Sequence, residues 1–201
     1  MSAHGYEEVL APNHYFDRNF QTEAAKILPG EYYVTGRDML LVTVLGSCVS
    51  AGIRDPKSGI GGMNHFMLPE GDPSNPVSES ARYGGYAMEV LLNQLIKLGA
   101  SRSRLEAKVF GGGAVMRGFT MHNVGERNSD FVLEYLEAER IRVVSQDLRD
   151  IYPRKVYFFP STGRVLVKKL KQVHNNTILQ REAEYGSRLR TSKMAGDVEL
   201  F

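Results

Sequence analysis

The chain lacks the features that mark a secreted scaffold, a metal protein or a membrane protein. Its 201 residues include one cysteine, Cys48, which rules out an intrachain disulfide and a multi-cysteine zinc site. No apolar run approaches the roughly 18 residues of a membrane-spanning helix, so no membrane insertion is expected. Residues 1–21 carry no apolar segment of the kind a secretory signal needs. An excess of one charge is also missing. The 25 basic and 23 acidic residues leave a formal +2, which gives no reason to expect nucleic acid as the main partner. Basic residues bunch at Lys168, Lys169 and Lys171 and again at Arg181, Arg188, Arg190 and Lys193. They read as a solvated face and a basic tail, or as a surface that docks an acidic partner. The five histidines show no paired ligand spacing, so no metal is expected. Gly111-Gly112-Gly113 lacks the Lys-Ser/Thr that follows a phosphate-binding loop, so no cofactor is expected either. These absences predict a soluble, cytoplasmic protein, long enough to bury a core as one domain.

What the chain has is a thiol placed like a nucleophile. Gly46-Ser47 interrupts an apolar run that ends at Leu45, and Cys48 follows at the strand end. A free thiol has a pKa of about 8.5, so a thiolate at neutral pH needs help from a base. A histidine brought close by the fold is the usual one, and His65 stands 17 residues further on. Thr43, five residues before Cys48, offers a hydroxyl that can fix the tautomer of that ring. Cys48, His65 and Thr43 are therefore candidate nucleophile, base and orienting group. His65 would take the thiol proton, or hold a preformed thiolate as an ion pair; a poised nucleophile of the second kind has an apparent pKa below the free-thiol value. An oxyanion would bind backbone N–H groups, including that of Cys48. The structural alternative makes Cys48 a small buried hydrophobe, His65 a hydrogen-bonded core residue and Thr43 a strand former.

Hydrophobic patterning divides the rest. Residues 1–21 read as an N-terminal arm, partly disordered, residues 22–189 as a single domain that holds the candidate catalytic residues, and residues 190–201 as a mobile tail. Strands are expected over 30–37, 38–45, 48–53, 61–68, 105–110, 141–146, 155–159 and 164–170. A turn is expected at Asp55 to Gly59 and a loop from Pro69 to Val77. Ser78 is the expected cap of a helix running to Leu98 and ended by Gly99. Ser129 or Asn128 would cap a second helix from Asp130 to Arg140. A third helix is expected from Asn175 to Leu189. Gly61-Gly62 suits close backbone approach, and the triple glycine suits a tight turn near the site. Strands and helices that do not strictly alternate indicate an α+β fold.

The stretch from Thr43 to Pro69, TVLGSCVSAGIRDPKSGIGGMNHFMLP, resembles the CheD family of chemoreceptor glutamine deamidases. The run from Lys108 to Ala114, the run from Asn123 to Asn128 and the run from Arg154 to Val165 match as well. Together they span roughly Gly30 to Leu170. The resemblance implies a layered mixed β-structure flanked by helices, a CheD-like cysteine hydrolase with a triad of Cys48, His65 and Thr43. It implies conversion of glutamine to glutamate on methyl-accepting chemotaxis receptors, through a thioester. A CheC-type phosphatase is the possible second partner that it suggests, in a binding role, and receptor methylester hydrolysis is a further alternative. Asn64, Arg127 and Asn128 either line the cleft or satisfy buried backbone groups. Arg149-Asp150 replaces two family glycines, which predicts a different loop conformation there.

Overall fold

A computed structural model describes residues 9–69, 76–115, 122–171 and 176–191. In chain order the strands are β1 (Val9–Leu10), β2 (Asn13–Asp17), β3 (Thr22–Lys26), β4 (Glu31–Thr35), β5 (Leu40–Leu45), β6 (Val49–Arg54) and β7 (Gly61–His65). Helix α1 (Pro76–Leu98), strand β8 (Glu106–Gly111) and helix α2 (His122–Ala138) follow. Strands β9 (Arg142–Leu148), β10 (Arg154–Phe159) and β11 (Arg164–Lys169) precede helix α3 (Asn176–Thr191).

The strands form two mixed sheets. One has the order β1-β4-β7-β6-β8-β9, the other β11-β10-β5-β3-β2. Every residue of β6 and β7 is buried, as expected for strands covered on both faces. Helices α1 and α2 cover one face of the six-stranded sheet. The five-stranded sheet covers the other, and the ring of Phe158 in β10 packs against Gly52 in β6. Strand β10 alternates buried and half-buried residues, so Arg154, Val156 and Phe158 face the core. The layers are thus helix, sheet, sheet, in agreement with the α+β architecture that the sequence implies. Leu91, Leu95, Val132 and Leu136 seat the two helices, each fully buried. Burying a side chain of that size contributes about 1.5–3 kcal/mol.

The chain crosses from one sheet to the other between β5 and β6. That connection is Gly46-Ser47-Cys48. A short turn between two buried strands fixes its ends within each sheet.

Three departures from expectation have physical causes. Residues 13–17, expected in an arm, form β2 and pair antiparallel with β3, itself absent from the expected strands. Neither strand has the Val/Ile pattern that announces one, and β2 is exposed at four of its five positions. Helix α1 starts at Pro76, ahead of the expected cap Ser78; the missing N–H of a proline costs nothing in a first helical turn. Helix α2 starts at His122, so Asn128 and Ser129 lie inside it rather than at its cap. Both have tertiary or local partners that replace a capping role, with Ser129 Oγ donating to the Gly125 carbonyl at 2.7 Å. Residues 1–8 of the expected arm and 192–201 of the expected tail lie outside the described residues.

Candidate active site

Thr43, His65 and Cys48 come from three different elements and meet at the sheet crossing. Thr43 is on β5, His65 ends β7, and Cys48 closes the turn before β6. All three are buried. Thr43 Oγ1 donates its one proton to the Ile27 carbonyl at 2.8 Å. Its contact with His65 Nδ1, also 2.8 Å, must therefore be a bond that the ring donates. This fixes the proton on Nδ1 and leaves Nε2 with a free lone pair. Nε2 is buried and has no hydrogen-bond partner among the described residues. A buried acceptor without a protein partner costs free energy and calls for an explanation; accepting a proton is one. Cys48 Sγ, a His65 ring nitrogen and a Glu182 carboxylate oxygen all lie within 4.8 Å of one another.

The turn itself is held from behind. The Gly46 carbonyl accepts from Gly113 N and the Cys48 carbonyl from Gly112 N, both at 2.8 Å. The Ser47 carbonyl accepts from Asn128 Nδ2 at 2.8 Å. A peptide group is planar, so anchoring the carbonyl of one residue aims the N–H of the next. Gly113 thus aims Ser47 N–H, and Asn128 aims Cys48 N–H. The triple glycine is needed for this approach. Gly111 and Gly112 have φ of 109° and 65°, and a Cβ on Gly111 would lie 2.1 Å from the Cys48 carbonyl oxygen. The expected tight turn beside the site is therefore present.

The N–H groups so aimed converge on one carboxylate. Glu182 of α3, itself buried, accepts from Gly46 N at 2.8 Å and Cys48 N at 3.1 Å through Oε1. Its Oε2 accepts from Ser47 N at 2.9 Å and Ser47 Oγ at 2.7 Å. The absence of a side chain at Gly46 permits this, since a Cβ there would lie 2.8 Å from Glu182 Oε2. Successive backbone donors of this kind make a seat for an anionic oxygen. Cys48, His65 and Glu182 are the right residue types for a metal, but both carboxylate oxygens already face N–H or O–H donors. A cation there would meet the positive ends of those dipoles. The donor set fits an oxyanion better than a metal.

Electrostatics bear on the choice between general base and ion pair. Burial, followed by the charge of Glu182 and a hydrogen bond to it, pushes the Cys48 thiol well up. Burial also pushes His65 down to about 4, with Glu182 opposing the shift. With α3 in place both directions favour a thiol beside a neutral imidazole, the general-base form, over the preformed ion pair. The cause is burial together with the carboxylate beside the sulfur, which the local motifs do not announce.

Other residues singled out in the sequence have structural duties. Asn64 accepts from Ala51 N at 2.9 Å and Arg127 donates to the Pro69 carbonyl at 2.7 Å. Both satisfy backbone. Asn128 does so too, accepting from Leu68 N at 2.9 Å, but its other bond reaches the Gly46-Ser47-Cys48 turn. Arg149 and Asp150 have φ of 64° and 69°. Both positions therefore adopt the left-handed backbone that glycine favours, here with side chains attached. Arg149 N donates to the Gly111 carbonyl at 2.8 Å and Ala114 N to Asp150 O at 2.7 Å, tying the loop to the glycine triplet.

Glu182 is the residue that sequence reasoning misses. A signal exists in the buried stripe of α3, Ile178, Glu182, Tyr185 and Leu189 at helical spacing, with one carboxylate among apolar residues. The same pattern marks α2, where Asn128 interrupts the buried residues Val124, Val132 and Leu136.

Comparison with known proteins agrees with the motifs. Residues 67–169 match the family model described as CheD chemotactic sensory transduction. That match begins beyond Thr43, Cys48 and His65. Full-length relatives extend it. A protein of Methylobacillus flagellatus is 69% identical over 99% of this chain and 100% of its own length. Proteins of Thiobacillus denitrificans and Herminiimonas arsenicoxydans are 68% and 64% identical, each over 97% of this chain. They cover 98% and 97% of those proteins. All three are named probable chemoreceptor glutamine deamidase CheD. Among solved structures, the Bacillus licheniformis hypothetical protein YfiH aligns at 13% identity with a TM-score of 0.39, over 75% of this chain and 64% of that one. On the family model and the near-complete match to these relatives, the chain belongs to the CheD family.

Proposed function

We propose that this chain is a chemoreceptor glutamine deamidase, with Cys48 as nucleophile, His65 as base and acid, and Thr43 as orienting group. One observation carries the proposal. The three N–H groups of the Gly46-Ser47-Cys48 turn hold a γ-carboxylate within reach of the thiol, and that carboxylate has the atoms of the deamidation product.

A substrate glutamine would place its side-chain oxygen where Glu182 Oε1 now sits. Cys48 Sγ attacks the amide carbon as its proton passes to His65 Nε2, the free lone pair of the ring. Gly46 N–H and Cys48 N–H stabilise the tetrahedral oxyanion; losing one such donor typically costs about 100- to 1000-fold in rate. His65 then returns the proton to the departing nitrogen, the C–N bond breaks and ammonia leaves. A thioester remains. Water, deprotonated by His65, opens it and releases glutamate and the thiol. The sum is glutamine and water to glutamate and ammonia. Thr43 keeps the base in the correct tautomer throughout, in the way a triad's third member does.

The relatives' names support methyl-accepting chemotaxis receptors as the substrates, which would present the target glutamines to a cytoplasmic enzyme. No described helix is long and apolar enough to cross a membrane. Purified protein incubated with a receptor cytoplasmic domain should release ammonia and raise the receptor mass by the amide-to-acid difference at specific glutamines. Methanol release instead would make it a methylesterase. A Cys48→Ala variant that still restores chemotaxis would favour the alternative role, a binding regulator of a CheC-type phosphatase.

A further inference from the structure

We infer that α3 is a tethered product analogue: Glu182 fills the seat of the reacting glutamine side chain, and substrate reaches Cys48 on a helix that takes the place of α3. The inference rests on the deamidase proposal and adds to it a means of regulation and a form of substrate.

The carboxylate does more than pack. It takes hydrogen bonds from all three N–H groups of the turn that the glycine triplet and Asn128 anchor, and from Ser47 Oγ. It lies beside Cys48 Sγ, where the hydrolysed product would lie before release. A plain structural carboxylate has no need of a nucleophile within reach. The rest of α3 is held by a narrow stripe. Ile178, Tyr185 and Leu189 are its buried apolar residues, at four before, three after and seven after Glu182. Tyr185 rests on Gly30 and its hydroxyl bonds that of Tyr83. The last turn of the helix is basic, with Arg188 and Arg190, and Arg181 lies exposed beside Glu182.

The groove under α3 is less completely filled than the seat. Two pockets flank Glu182 along the helix. One is lined by Ser47, Leu68, Val124 and Gly186, the other by Ile27, Val44, His65 and Ile178. The second reaches the catalytic base. A helix of different side chains, with glutamine at the position of Glu182 and apolar residues at the positions of Ile178, Tyr185 and Leu189, fits the same groove.

Removal of the carboxylate has an electrostatic result as well. Its charge helps to hold the sulfur protonated. Without it one cause of the raised thiol pKa is gone, and the sulfur can give its proton to His65 Nε2 as it attacks. The closed form is thus both blocked and unreactive.

Two full-length variants test this. In Glu182→Ala, alkylation of Cys48 by iodoacetamide at neutral pH should run at least about tenfold faster than in wild type, because the carboxylate no longer covers the sulfur or disfavours its thiolate. The gain should disappear when His65→Ala is added. Thermal melting checks that the variant is folded. Glu182→Gln keeps the shape of the side chain and presents an amide to the thiol. Peptide mapping should find the introduced amide at position 182 converted to a carboxylate, and only when Cys48 is present. Equal alkylation of wild type and folded Glu182→Ala overturns the blocking role. Faster alkylation of Glu182→Ala, with the amide of Glu182→Gln left intact, overturns the product analogue and leaves α3 a mere cover. Faster alkylation with neither that amide nor a receptor glutamine deamidated would sink the deamidase proposal itself, through a different readout.

Discussion

Helices α2 and α3 each carry a polar side chain from a largely apolar buried stripe to the same three-residue turn. Asn128 of α2 binds it from behind, at the Ser47 carbonyl. Glu182 of α3 binds it from in front, at the N–H groups. The difference lies in what each bond does. Asn128 is neutral, is also fixed by Leu68 N, and belongs to a helix that lies on β6, β8 and β9. Its bond aims a donor without occupying it. Glu182 is charged, occupies the donors and sits against the thiol. On the proposed mechanism, one helix builds the oxyanion seat and the other fills it. Buried polar groups of similar spacing and burial can thus serve opposite ends, and only the atom they bind tells them apart.

The largest effect bearing on this contrast comes from the group between the two helices. Cys48→Ala removes the proposed nucleophile and little volume, so both helices should stay seated. Receptor deamidation should fall by at least about 10,000-fold, as losses of triad nucleophiles do, with the melting temperature little changed. Turnover close to wild type in this variant would place the chemistry elsewhere.

Asn128→Ala should come next and should hurt, in contrast to Glu182→Ala. Freed from its anchor, Cys48 N–H loses its aim. The turnover number should drop by about 10- to 100-fold, less than the cost of removing a donor outright. Stability should fall as well, because the buried Ser47 carbonyl and Leu68 N lose their partner, at about 1–3 kcal/mol for each group left unsatisfied. A variant with lower stability but unchanged kcat would reduce Asn128 to a packing residue. Equal directions of change in the Asn128 and Glu182 variants would erase the distinction between the two helices.

The sequence made half of this arrangement legible. Cys48, His65 and Thr43 can be read because a thiol after a Gly-Ser break, a later histidine and a strand hydroxyl are local signs of known chemistry. Their resemblance to CheD motifs reinforces it. The layering is legible in outline from runs such as Leu40 to Leu45, which are apolar enough to be buried on both sides. Strands β2 and β3 are not, because Asn13–Asp17 and Thr22–Lys26 hold their place by edge pairing rather than by apolar alternation. Asn128 misleads in one respect: its residue type favours caps, whereas its amide is spent on the turn 81 positions away in sequence. Glu182 is hidden for the same reason. A carboxylate on a polar helix is ordinary, and its meaning arises only when the fold brings it to Gly46, 136 positions earlier.

Acid should loosen the site by a predictable route. His65 is held at about 4 in the folded protein, against 6.5 for an unperturbed ring. The unfolded chain therefore binds the extra proton first. The stability this group contributes is complete above about pH 6.5 and is lost as pH falls toward about 4, by up to about 3 kcal/mol. Melting temperatures measured from pH 7 to 4 should fall more steeply for wild type than for His65→Ala. Parallel curves would mean that the ring is not buried neutral.

The smallest effect concerns the loop behind the glycine triplet. Arg149 sits at φ 64°, where a non-glycine residue costs about 1–2 kcal/mol. Its ion pair with Asp130, at 2.6 Å, is about half exposed on both sides and contributes about 0–1 kcal/mol. Arg149→Gly should therefore leave stability within about 1 kcal/mol of wild type, since the flexible glycine also favours the unfolded chain. Chemical denaturation checks it. A large loss would mean that the guanidinium supports the turn from behind as Asn128 does.

Capture of the acyl-enzyme would decide whether Cys48 performs the chemistry. Protein mixed with receptor domain and quenched in acid during turnover should yield a covalent receptor adduct mapped by peptide mass to Cys48. Hydroxylamine should release it, as expected for a thioester, and Cys48→Ala should not form it. His65→Ala should form it far more slowly. Undiminished deamidation with no adduct at Cys48, or an adduct mapped to another residue, would contradict a thioester mechanism at this thiol.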